Sequence, residues 1–312
     1  MKLFSKLNLT KFIITAGLFT AISASVVGCR YVNSPGNVTI EGLVKANTNA
    51  VLLAQYDNIL LTKSIDDGSN INFYYTKDVT FYQEGDNVVL YDREKVWRHP
   101  EIDGTKALAF NWYAMEESEM AQYMLEPSEM FSVLDEEYTL KETIDKVTDN
   151  KDGTLTIETS VSAEALTEIY GADNPDIPAD MKYKYTVNKN NLELKNCSYS
   201  IQYADGKTES VSYDVIFNAE EPDEMKDMLA QIDEFNNSNP AEGEKKTITV
   251  IYDYGTDSEQ TFSITVDRKY MVAPFLREGY TAYADPDKTE YFAGGDGVHD
   301  LVIYAFPEEE NK

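Results

Sequence analysis

The stretch Tyr183–Phe217 reads YKYTVNKNNLELKNCSYSIQYADGKTESVSYDVIF. It holds three strand-like runs, Lys182–Val187, Leu192–Tyr203 and Ser210–Asn218, parted only by Asn188–Asn191 and Asp205-Gly206. A parallel crossover needs a dozen or more residues, so connections this short make antiparallel hairpins. The chain is therefore committed to a sheet that something else must cover. The same rhythm runs upstream through Ile59–Ile65, Ile71–Thr76, Val79–Tyr82, Val88–Tyr91, Ala107–Ala114, Leu140–Val147 and Thr154–Val161, with Asp67-Gly68, Glu84-Gly85-Asp86 and Asp103-Gly104 as turns. Ile71, Phe73 and Tyr75 alternate with Asn72, Tyr74 and Thr76, the pattern of a half-buried strand. The 22 tyrosines, against 13 Phe and 2 Trp, suit sheets in which a ring packs and a hydroxyl stays wet.

Helical signals are fewer. Thr39 to about Ala54 suits a short helix, and Ala163–Tyr170 a second, started near Ser162. Glu220–Phe235 opens on acids and carries Met225, Met228, Leu229 and Ile232 at helical spacing. Asn236-Asn237-Ser238-Asn239-Pro240 stops it, and 236–245 reads as a linker. Beyond it, Thr247–Tyr254, Thr261–Asp267 and Asp300–Phe306 are strand-like. The expectation is an α+β chain: a domain of antiparallel strands and interspersed helices over 39–235, a small unit over 246–307, and an acidic tail, 308–312.

The N-terminus bears on location. Lys2, Lys6 and Lys11 precede an uncharged run, residues 12–27, that ends in Val26-Val27-Gly28-Cys29. A spanning helix needs about 20 apolar residues, and this run is shorter and diluted by Gly17, Thr20, Ser23 and Ser25. A basic start, a short apolar core and small residues before a cut fit a secretory signal, residues 1–28. Val26–Cys29 resembles the bacterial lipobox. That resemblance implies diacylglyceryl on the Cys29 sulfur, residues 29–38 as a lipidated tether, and the body outside the cytoplasm on the cytoplasmic membrane's outer face. An uncleaved N-terminal anchor helix is the alternative. The remaining cysteine, Cys197, then reads as a small buried hydrophobe within a strand.

Charge excludes one class of partner. With 55 Asp+Glu against 27 Lys+Arg and a formal net charge of −28, the body repels nucleic acid. No GxSxG, P-loop, HExxH or CxxC occurs. His99 and His299 read as exposed turn residues. Gly294-Gly295-Asp296-Gly297 reads as a turn and not a phosphate loop, because a strand rather than a helix follows it. Asp285, Asp287, Asp296 and Asp300, and Asp149 with Asp152, read as solvated turns, because neither run has EF-hand spacing. No catalytic residue, metal or cofactor is expected.

Two resemblances extend this reading. The hairpins at 183–217 resemble the strand-turn-strand run of the lipoprotein-carrier half-barrels, over roughly 39–235. That family implies a curved antiparallel sheet wrapped on helices, with a cavity for acyl chains. APFLREGYTAYADPDKTEYF and DLVIYAF, through Pro274, Arg277, Glu278, Gly279, Tyr280 and Leu301–Ala305, resemble the Listeria–Bacteroides surface repeat of internalin B type, a β-grasp-like module. The Gly-Trp of that repeat is replaced by Thr281-Ala282-Tyr283-Ala284.

Met115, Met120, Met124 and Met130 lie among Glu116, Glu117, Glu119, Glu126, Glu129, Asp135 and Glu136. They suit either a Met-faced flap over apolar ligands or a gap-filling core helix. Phe73, Tyr75, Phe110, Trp112, Met115, Met120 and Met124 are the candidate ligand contacts. The expected function is a membrane-anchored, non-enzymatic lipoprotein that binds or shields an apolar, lipid-like ligand, with an envelope or protein partner for the small unit. The alternative is a structural or adhesion protein with a solid core.

Overall fold

The computed structural model describes residues 37–65, 69–102, 105–106, 108–111, 120, 123–125, 133–134, 136–171, 174, 177–239, 241–268, 272–277, 279–292 and 299–308. Cys29, the lipobox, Trp112, Met115, Met130 and the 294–297 glycine turn lie outside these residues. Two short helices open the chain, α1 (Ile40–Ala46) and α2 (Asn49–Leu52), where one was expected. Thr39 caps α1 by accepting from the Gly42 amide at 3.0 Å. Asn47 stops it. Its side-chain amide donates to the Leu43 and Leu192 carbonyls at 2.8 and 3.0 Å, and its Oδ1 accepts from the Leu194 amide at 2.7 Å.

Strands β1 (Ile59–Ile65), β2 (Asn70–Tyr75), β3 (Thr80–Glu84), β4 (Asn87–Tyr91) and β5 (Val96–Arg98) follow. A two-strand hairpin, β6 (Glu101–Ile102) and β7 (Thr105–Lys106), precedes β8 (Leu108–Asn111). After α3 (Glu136–Thr139) come β9 (Glu142–Asp149), β10 (Thr154–Val161) and α4 (Ala163–Tyr170). Ser162 caps α4 at the Ala165 amide, and Gly171 ends it at φ +85°. The three hairpin strands are β11 (Pro178–Asn188), β12 (Leu194–Tyr203) and β13 (Thr208–Phe217). Then come α5 (Asp223–Asn237), β14 (Lys245–Tyr252), β15 (Gln260–Asp267), β16 (Val272–Phe275), β17 (Tyr280–Tyr283) and β18 (Leu301–Pro307).

Twelve strands form one open sheet, ordered β16-β8-β5-β4-β3-β2-β1-β13-β12-β11-β10-β9. Every pairing in it is antiparallel except β16 with β8. It is the antiparallel sheet that the hairpin rhythm implied, and it is open and half-barrel-like, as the resemblance at 183–217 implied. One face carries an apolar cluster joining Leu43, Leu52 and Leu53 of the opening helical segment and Leu125, Val133 and Leu134 to β1–β5 and β10–β13. A smaller cluster packs Leu166 of α4 on Val161, Met181 and Ile201.

The opposite face behaves differently along its length. Over β2–β5 it is buried as well, with Tyr74 1%, Phe81 0%, Leu90 0% and Trp97 0% exposed. Met225, Met228 and Ile232 of α5 cover it, and behind α5 lie Ile248, Val250, Tyr252, Val266 and Ile303 of a second sheet. This corrects the half-buried reading of β2: Tyr74 is core, because α5 occupies the side expected to be wet. Over β11–β13 that face stays exposed at Lys182, Lys184, Lys195 and Asp214, so these strands keep the alternation of a one-sided sheet.

The second sheet is ordered β15-β14-β18-β17, with β14 and β18 parallel at its centre and antiparallel strands outside. The segment 246–307 was expected to be a unit by itself. Two features tie it to the large sheet: β16 is that sheet's edge strand, and one apolar cluster runs through α5 into both sheets. Phe235, at the expected domain boundary, lies 5.7 Å from both Trp97 and Phe110, centroid to centroid.

Candidate functional site

The face that carries α1 and α4 is where polar and aromatic side chains meet between the two apolar clusters. Cross-strand partners share a face, and the pairs Thr159↔Tyr183, Tyr183↔Tyr199, Cys197↔Tyr213 and Lys63↔Tyr213 carry one band across β10, β11, β12, β13 and β1. Tyr183 and Tyr199 are 5.4 Å apart by ring centroid, Tyr199 and Tyr213 6.2 Å, and Lys63 Nζ lies 5.8 Å from the Tyr213 ring. All three rings are half-buried. Tyr183 touches both clusters, so the strip bridges the helical cover on one side and α4 on the other.

Beneath it lie Tyr185 and Cys197, 1% and 5% exposed. Cys197 is a free, buried thiol, as the strand pattern implied. Burial pushes the Tyr183, Tyr185 and Tyr199 phenols and the Cys197 thiol up from their ordinary values, so these four groups stay neutral at physiological pH. At the far end, burial pushes the Lys63 ammonium down, against the attraction of Glu84.

Glu142 is the strip's buried acid. It is 7% exposed and accepts hydrogen bonds from the Thr159 hydroxyl and, at 2.5 Å, from the Tyr185 hydroxyl. Burial outweighs both hydrogen bonds and lifts it from 4.5 to about 7. Between those values the folded chain holds a proton that the unfolded chain has released. Stability therefore falls as pH rises through that window and is level above it. Glu142→Gln is expected to abolish that slope, changing the stability difference between the two proteins by up to about 3 kcal/mol between pH 4.5 and 8. Denaturant titrations of both at the two pH values test this, and parallel profiles would refute it.

The candidate contacts read from sequence divide. Phe73, Tyr75, Met120 and Met124 do come together, in the cluster under the helical cover. Phe73 is 4% and Tyr75 0% exposed, and the Tyr75 hydroxyl donates to the Met124 carbonyl at 3.5 Å. Tyr82 joins them edge-on to Phe73 and Tyr123, each at 5.5 Å. Phe110 is in the other cluster, 5.1 Å from Trp97 on the α5 side. Sequence reasoning missed Tyr183, Tyr199, Tyr213, Lys63 and Glu142. Tyrosine at every second place in the hairpins was the available signal. The turn aspartates serve turns: Asp285 accepts from the Asp287, Thr289 and Glu290 amides, and Asp149 pairs with Lys151 and Lys189.

No family model and no curated protein matches the sequence. Among solved structures, the chain is similar to a LolA superfamily protein from Nitrosomonas europaea. The likeness has 8% identity and a TM-score of 0.22, over 60% of this chain and 97% of that one. A superposition that loose carries no weight on function, which rests on the geometry above.

Proposed function

We propose that this is a lipid-anchored extracytoplasmic protein, held to the membrane through Cys29, whose half-barrel face binds or shields an apolar, lipid-like ligand without chemistry. The observation that carries the reading is the half-buried strip Tyr183–Tyr199–Tyr213 between two apolar clusters. The Tyr183 and Tyr199 phenols are kept neutral by burial, and the strip's one cation, Lys63, stands at one end. Rings accept methylene chains, hydroxyls tolerate water at the strip's edge, and an ammonium suits a ligand's acidic headgroup. A helix-covered open antiparallel sheet is also the architecture of a lipoprotein-carrier half-barrel. The small sheet has the strand order and parallel central pair of a β-grasp module, and we read it as the partner-binding or spacer unit.

The test uses the chain with Cys29→Ser, purified without detergent. Native mass spectrometry should find retained lipid, and a fluorescent fatty acid should bind. Tyr183→Ala with Tyr199→Ala should weaken that binding by about tenfold or more, at about 1 kcal/mol for each lost aromatic contact. Clean, lipid-free protein that ignores the fatty acid would end the ligand reading. The rival, a structural or adhesion protein, draws support from the burial of Phe73 and Tyr75, which leaves those two rings almost no exposed surface.

A further inference from the structure

A cleft of about 270 Å³ opens at the ends of β4 and β5, lined by Asp86, Asn87, Val88, Arg98, His99, Pro100 and Lys106. It is remote from the tyrosine strip: β3, β2 and β1 separate β4 from β13 in the sheet. His99 is not the exposed turn residue that sequence suggested. It is 8% exposed, and its Nε2 lies 3.1 Å from Oε1 of Gln231 on α5. Its other nitrogen, Nδ1, is buried and has no hydrogen-bond partner. Buried polar atoms are paired in folded proteins as a rule, so an orphan on a residue that lines a cleft points to a missing partner.

The neighbours say what that partner is. Arg98 is steadied by donating from Nη2 to the Asn87 side-chain oxygen at 3.1 Å. Lys106 reaches the same cleft from the β6–β7 hairpin and forms no ion pair among the described residues. Two cations and a histidine thus converge on one cleft of a chain whose net charge is −28, with Asp86 the one acid among the described residues lining it. Charges further off are screened within about 8–10 Å at physiological salt, so the local cations decide what enters. We propose that this cleft binds a phosphate group, held by Arg98 and Lys106 and by His99 donating from Nδ1. Guanidinium and ammonium groups suit phosphate oxygens. The Nδ1–H tautomer makes Nδ1 the donor, with the Gln231 side-chain amide turned so that its NH₂ donates to Nε2.

The phosphate has two sources, a lipid headgroup or a soluble phosphate, and the experiment separates them. The chain has only two histidines, so the ring signals of His99 and His299 are resolvable by NMR. Inorganic phosphate, titrated into the chain carrying Cys29→Ser, should shift the His99 ring signals saturably and leave those of His299 in place. Lys106→Gln, an exposed change that leaves the core intact, should weaken this binding by about threefold or more, and His99→Phe should weaken phosphate binding measured by calorimetry by about tenfold or more. Retention on phosphatidylcholine vesicles containing phosphatidic acid, competed by phosphate, assigns the site to a headgroup. A phosphate response without vesicle retention assigns it to a soluble phosphate. A His99 signal that does not respond, or a response unchanged by Lys106→Gln, overturns the proposal.

Discussion

Asn47→Leu is expected to destabilise the fold by about 3–5 kcal/mol, and Asn49→Leu, two residues away, to be neutral or stabilising by about 1 kcal/mol. Both asparagines are 0% exposed. Asn47 spends its side chain on three main-chain groups and so joins the end of α1 to the start of β12, far along the chain. Leucine fills a similar volume but leaves the Leu192 carbonyl and the Leu194 amide buried without partners, and each such group costs about 1–3 kcal/mol. The Asn49 amide nitrogen and oxygen have no partner already. Removing them lifts a desolvation cost at no loss of bonding. Equilibrium urea titration of the two variants beside the parent protein decides the matter. Equal effects of the two substitutions would mean that hydrogen bonding is not what holds the helix to the sheet.

The second large effect concerns Cys29. Cys29→Ser is expected to reduce incorporation of labelled palmitate to background and to move the chain from the membrane to the soluble fraction. Two acyl chains anchor stably because each buried methylene contributes about 0.8 kcal/mol, and an acidic body adds no electrostatic hold on anionic lipid. A chain that stays membrane-bound and unlabelled, with or without the substitution, would instead establish an uncleaved anchor helix.

Legibility followed the range of the forces involved. Ile59–Ile65, Thr154–Val161 and Ala163–Tyr170 were readable to the residue, because alternation, turn residues and a serine cap are local signals. The candidate site was half readable. Phe73, Tyr75, Met120 and Met124 meet as expected, whereas Phe110 points into the core on the other side. Glu142 belongs to a strand, ETIDKVTD, whose residues are mostly polar. Its burial comes from Thr159 and Tyr185 on neighbouring strands, which no window along β9 contains. His99 looked like a turn residue because Gln231, its partner, is 132 positions away.

By itself the sequence determined that the chain forms antiparallel hairpins, that its body is acidic, and that its N-terminus resembles a lipid attachment signal. Each follows from short-range chemistry: turn geometry, charge count and the spacing of a few residues. Tertiary structure alone decided that α5 is shared between two sheets, that Val272–Phe275 closes the edge of the large one, and that three tyrosines line up across it. Those outcomes depend on which faces remain uncovered once the hairpins have formed. An apolar face is buried by whatever part of the chain can reach it, and reach is a property of the folded chain.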